Sequence, residues 1–87
     1  MKVVAKPIEV VSWTDMKGNI NPIRFRFLEK DESYKVIKIN KVIHKDLEKL
    51  CGNPMIIYRC SAAVNGQQRL FEIKYELNTC KWILFKI

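Results

Sequence analysis

Apolar and polar residues alternate along most of this chain. In residues 19–29, NINPIRFRFLE, Ile23, Phe25 and Phe27 fall on one parity and Arg24 and Arg26 on the other, the period of two that a strand with one buried face requires. Turn-forming residues divide the sequence into six such runs. The first, about Val3 to Trp13, is rich in Val and Ile and ends in the cluster Thr14-Asp15-Met16-Lys17-Gly18-Asn19, where Gly18 can take a positive φ. Pro7 inside it marks an edge position or a break, because proline has no N–H to give to a ladder. The third run, YKVIKINKVIHK, begins with Tyr34 and Val36 on one parity and continues with Ile37 and Ile39 on the other. That change of phase predicts a bulge near Val36-Ile37. Residues His44–Leu50 read as a short helix: Leu47 and Leu50 stand three apart, and Cys51-Gly52-Asn53-Pro54 supplies stop residues.

The second half of the chain also fixes a register. Asn65-Gly66 suits a two-residue type I′ loop, in which both central residues have φ > 0. Around it Val64 faces Gln67, Cys60 faces Phe71, Arg59 faces Glu72, Tyr58 faces Ile73 and Ile56 faces Tyr75. One face is then apolar and the other holds Arg59 against Glu72, and a one-residue slip would scramble both. Asn78-Thr79, taken as a similar loop, pairs Glu76 with Lys81, Tyr75 with Trp82, Lys74 with Ile83 and Ile73 with Leu84. The run TCKWILFKI at residues 79–87 is thereby split. Trp82 and Leu84 join the core face, while Ile83, Phe85 and Ile87 fall on the opposite face beside Ile57 and ask for a cover of their own.

Composition narrows the classes. With 87 residues, 48% of them hydrophobic and 29% charged, the chain reads as one folded domain over residues 1–87, and a domain this small buries only ~60–65% of its unfolded surface. No apolar run approaches the ~20 residues of a membrane span, and Lys6, Pro7 and Glu9 interrupt any signal-peptide core, so a cytoplasmic location and no membrane partner are expected. Cys51, Cys60 and Cys80 match no disulfide framework and read as free thiols. Sixteen Lys and Arg against nine Asp and Glu give a net charge of +7, which favours polyanionic partners or simply keeps the protein soluble.

Little catalytic chemistry emerges. His44 with the three cysteines could supply four metal ligands, but none of the spacings is C-x2-C or H-x3-H, and Cys51 near His44 is the one conceivable nucleophile pair. Asp31-Glu32 and Asp46 with Glu48 look like solvated surface, and no phosphate loop or hydrolase motif is present. The expectation is a protein that is not an enzyme, with no cofactor, no metal and no small-molecule substrate.

Two binding readings remain. Arg24, Arg26, Lys35, Lys38 and Lys41 interleave with Phe25, Phe27 and Tyr34, as in small β-domains that bind nucleic acid with cations and stacking platforms. Against this, Phe25 and Phe27 point opposite to the arginines. The second reading uses Ile57, Ile83, Phe85 and Ile87, covered either by the chain's own Leu47–Leu50 helix and N-terminal strand or by a second copy in a homodimer. A non-enzymatic interaction or structural domain that self-associates through its C-terminal strand is the favoured expectation, and a small basic nucleic-acid-binding module is the alternative.

The order Pro22-Ile23-x-Phe25, Tyr34-x-Val36-x-x-Ile39, Tyr58-x-Cys60, Leu70-x-Glu72 and Trp82-x-Leu84 resembles small uncharacterised bacterial β-domains, in which P-x-x-F, Y-x-V and W-x-L mark successive strands of a curled meander. The resemblance implies a fold and no activity. Together with the runs above, the expected architecture is all-β with one short helix: five or six antiparallel strands in a curled meander, a small partly open barrel of SH3-like or OB-like size. Its expected core is Phe25, Phe27, Ile37, Ile39, Ile56, Tyr58, Phe71, Ile73, Tyr75, Trp82 and Leu84.

Overall fold

Seven strands, one more than the six runs, form in the structure, a computed structural model that describes residues 1–87. They are β1 (Val3–Thr14), β2 (Ile20–Leu28), β3 (Tyr34–Lys38), β4 (Lys41–Leu50), β5 (Asn53–Val64), β6 (Gln67–Glu76) and β7 (Lys81–Lys86). They form one antiparallel sheet of order β3-β2-β1-β7-β6-β5-β4, curled into a half-barrel. There is no helix, and so none long and apolar enough to cross a membrane.

Two hand-overs produce the curl. The first half of β1 pairs with β7, from Val3 opposite Lys86 to Ile8 opposite Trp82; the second half pairs with β2, from Glu9 opposite Arg26 to Thr14 opposite Ile20. Pro7 lies where β1 has no β2 partner, so its missing N–H costs no ladder bond. The other hand-over is at Ile39-Asn40, where the Ile39 N–H donates to the Ile23 carbonyl (2.9 Å) and the Asn40 N–H to the Ser61 carbonyl (2.9 Å). The third sequence run therefore divides into β3, which pairs with β2, and β4, which pairs with β5. We call the second half of β1 with β2 and β3 the narrow wing, and the first half of β1 with β7, β6, β5 and β4 the broad wing. Their inner faces enclose the core.

The expected helix at His44–Leu50 is part of β4. Cys51 and Gly52, read as a helix stop, both have positive φ (53° and 72°) and form a hairpin turn between Leu50 and its partner Asn53. Two leucines three apart cannot outweigh ladder pairing to β5 along the whole segment, and local propensity yields to tertiary pairing. The expected bulge at Val36-Ile37 is also absent. Pairing from Arg24–Lys38 to Leu28–Tyr34 is continuous, so Tyr34 and Val36 lie outside (54% and 61% exposed) while Ile37 is buried. Register shifts occur instead at Ile23 in β2, at Val4-Ala5 in β1 against β7, at Ile43, and at Phe85 against β6.

The β5–β6 register is the expected one, with φ of 51° at Asn65 and 77° at Gly66. The β6–β7 pairs are also as expected, but the turn is wider. It runs from Leu77 to Cys80, and the positive φ belongs to Cys80 (61°), not to Asn78 or Thr79. β-Branched Thr79 avoids that region; its hydroxyl instead bonds the Glu76 carboxylate, which also accepts from Asn53 Nδ2 at 2.9 Å.

Of the expected core, Phe25, Ile37, Ile39, Tyr58, Phe71, Ile73 and Leu84 are buried, with Phe27, Ile56, Tyr75 and Trp82 packed at its margin. Cys60, Ala62 and Val64 extend it along β5. The Phe25 and Phe71 rings, 5.3 Å apart, join the two wings. Tyr58 is 1% exposed, and its hydroxyl donates to the Ile20 carbonyl at 2.7 Å. Burial pushes that phenol up to about 12, so it remains a donor throughout the physiological range.

Candidate nucleic-acid interface

All seven strands belong to one sheet whose inner faces enclose the core, and there is no helix, so no second layer covers the outer face of either wing. The outer faces are therefore the surfaces the fold presents, and the two wings present different chemistry.

On the narrow wing, Val11, Arg24 and Lys38 form one cross-strand row, and Glu9, Arg26 and Val36 form the next. Arg26 is engaged. Its Nε donates to Glu9 Oε1 at 2.7 Å, raising the guanidinium pKa, and its guanidinium carbon lies 4.1 Å from the Tyr34 ring centroid. Arg24 and Lys38 face each other with no carboxylate partner, since the three ion pairs of the protein lie elsewhere. Like charges directly opposite on a sheet are locally unfavourable, and a bound anion relieves the repulsion. All of these row residues except Lys38 line an open groove of about 450 Å³.

Two aromatics flank these cations. Tyr34, opposite Leu28, shares the face of Arg26. Trp13, two residues beyond Val11 on β1 and 55% exposed, shares the face of Val11 by strand alternation. In the sequence-derived site, Tyr34 is one of the aromatics interleaved with the basic candidates; Trp13 is not. There the inward Phe25 and Phe27 counted against stacking, but the outward aromatics are Trp13 and Tyr34. Matching Phe25 to Ile37 across the Lys30–Ser33 tip would have placed Tyr34 outside.

The five basic candidates separate. Arg24, Arg26 and Lys38 share the narrow wing's outer face. Lys35 has the opposite parity, facing Phe27, with its Nζ 3.4 Å from Asn65 Oδ1. Lys41 begins β4 opposite Ser61, on the broad wing. Beyond Trp13, Asp15 is occupied in its own turn: its oxygens accept from the Lys17 and Asn19 N–H groups and from the Asn19 side chain, which holds its pKa below the usual carboxylate range.

The broad wing's outer face includes four rows: Lys41–Ser61–Leu70, His44–Arg59–Glu72–Lys86, Asp46–Ile57–Lys74–Ile83–Pro7, and Glu48–Met55–Glu76–Lys81. Ile57 and Ile83 flank Lys74, whose Nζ lies 3.7 Å from the Phe85 ring centroid and 3.5 Å from Glu48 Oε1. Three of the four expected interface residues therefore come together. Ile87 does not. Phe85 is the extra residue of a bulge, so the alternation slips and Ile87 packs against the core. β7 itself lies between β1 and β6, so its outer face is open but its edges are not. The free edges are β3 and β4, where Lys35, Lys38, Lys41, Lys45 and Lys49 oppose addition of another strand.

The metal and nucleophile candidates are dispersed, with no group of three or more His, Cys, Asp and Glu side chains. His44 is on the outer face, Cys51 and Cys80 are in exposed turns, and Cys60 is buried opposite Phe71. Burial pushes the Cys60 thiol up to about 12, leaving it protonated and inert. A thiol reagent such as DTNB is expected to label Cys51 and Cys80 in the native protein and Cys60 only after unfolding. Rapid labelling of all three would show that the core is open.

The chain matches no protein-family model, no curated protein and no solved structure.

Proposed function

We propose that the protein is a non-enzymatic binding module that takes single-stranded nucleic acid on the outer face of its narrow wing. The observation that carries this reading is the unpaired Arg24–Lys38 couple, flanked on the same face by the exposed rings of Trp13 and Tyr34. Cations that track phosphates and aromatic faces that accept unstacked bases are the two components of single-strand recognition. A sheet face suits a splayed strand better than a duplex, whose bases are not available for stacking. The net charge of +7 adds long-range attraction to any polyanion.

The test is fluorescence anisotropy of a labelled oligothymidylate at low ionic strength. Trp13→Ala and Tyr34→Ala are each expected to weaken binding by about 1–3 kcal/mol, the usual loss for one stacked base. Both positions are solvent-exposed, so the core is untouched and unfolding temperatures are expected to stay close to that of the parent. Absence of binding by the parent protein, or unchanged affinity in both variants, would refute the assignment.

A further inference from the structure

We infer that the outer face of the broad wing is a two-fold interface with a second copy of this chain. This lies beyond the nucleic-acid reading and uses a different surface. Its first support is the electrostatic balance. In a protein of net charge +7, the four rows of this face contain five cations, Lys41, Arg59, Lys74, Lys81 and Lys86, against four carboxylates, Asp46, Glu48, Glu72 and Glu76. Two copies of a strongly basic protein repel over most of their surfaces. They can approach closely where the charge nearly cancels, and a patch that mixes both signs complements itself under a two-fold rotation.

The second support is what lies between those charges. Ile57, Ile83 and Phe85 are half-buried, and the single sheet has no second layer over them. Glu72 is 7% exposed, and its Oε2 has no hydrogen-bond donor; Arg59 Nη2 is 3.6 Å away, too far for one. That oxygen is already enclosed by the chain itself, so what the face offers a second copy is the apolar surface of Ile57, Ile83 and Phe85 around it. The principal extents of the protein, 34 × 25 × 21 Å, allow a face of the size of a standard interface, about 800 Å² per partner.

Sedimentation velocity across the micromolar range should give a mass that rises from one copy to two, and Ile83→Lys should remain at one copy while keeping the parent's near-ultraviolet circular dichroism. Because Ile83→Lys can also disturb β7, the parent protein supplies an independent reading. In isoleucine-methyl NMR spectra, Ile57 and Ile83 should shift with concentration, whereas buried Ile37 and Ile73 should not. A single-copy mass at every concentration would overturn the inference and leave this face to a different partner. A dimer that survives Ile83→Lys, or one that shifts other methyls instead, would also overturn it.

Discussion

Phe71→Ala is expected to destabilise the protein by about 3–5 kcal/mol, as read from the midpoint of urea unfolding. Phe71 is fully buried, pairs with Cys60 across β5–β6, and places its ring 5.3 Å from Phe25. It is thus the contact through which the broad wing grips the narrow one. A chain of this length is held by about 4–13 kcal/mol, so the substitution removes a large share of the total and leaves a cavity between the wings. Val36→Ala provides the comparison. Val36 is 61% exposed on the outer face, and its loss is expected to stay within about 0.5 kcal/mol. Equal effects at the two sites would mean that the wings do not share one core.

The second large effect concerns binding. Reversing both members of the unpaired couple, Arg24→Glu with Lys38→Glu, is expected to weaken oligothymidylate binding by about two orders of magnitude at low salt. The fold should tolerate the change, because one like-charged cross-strand pair replaces another on an exposed face. Each reversal lowers the charge by two, so the net charge falls from +7 to +3. Lys35→Glu with Lys41→Glu makes the same change in net charge at residues that the fold places away from this face. That variant is expected to lose only the smaller, long-range share of the attraction. Equal losses in the two variants would mean that overall charge, not the Arg24–Lys38 couple, attracts the nucleic acid.

Much of the broad wing was legible because its register rests on short-range chemistry. Asn65-Gly66 allows one tight turn, and the pairs it implies, Cys60 with Phe71 and Tyr58 with Ile73, are the pairs found. The β6–β7 pairs were also legible, although Cys80 and not Asn78-Thr79 takes the positive φ. What local pattern could not convey was where the chain changes partner. Nothing at Ile39-Asn40 announces that one apolar run leaves β2 for β5, since the event depends on two carbonyls, Ile23 and Ser61, remote in sequence. The same limit explains the misread helix. Along β4 most side chains are exposed, so no buried stripe marks its period, and Cys51-Gly52 can end a helix or make a hairpin with equal ease.

The binding sites follow the same division. Ile57, Ile83 and Phe85 were placed together by register, but Ile87 was lost to a bulge at Phe85, which adds one residue without altering composition. Among the cations, Arg24 and Arg26 were legible from the alternation of β2. Separating Lys38 from Lys35 required the β2–β3 register, which the five-residue connection Glu29–Ser33 does not dictate. Trp13 was in neither the expected core nor the expected site, and the outward face it shares with Tyr34 follows only from the β1–β2 and β2–β3 registers.

Salt titration of oligothymidylate binding bears most directly on the claim that the narrow wing's outer face holds a nucleic-acid strand. Affinity should fall linearly on logarithmic axes, and Arg24→Ala with Lys38→Ala should make the slope shallower by about 0.7 for each phosphate that is no longer neutralised, about 1.4 together. A parent protein that fails to bind at low salt, or a double variant whose slope equals the parent's, would contradict it.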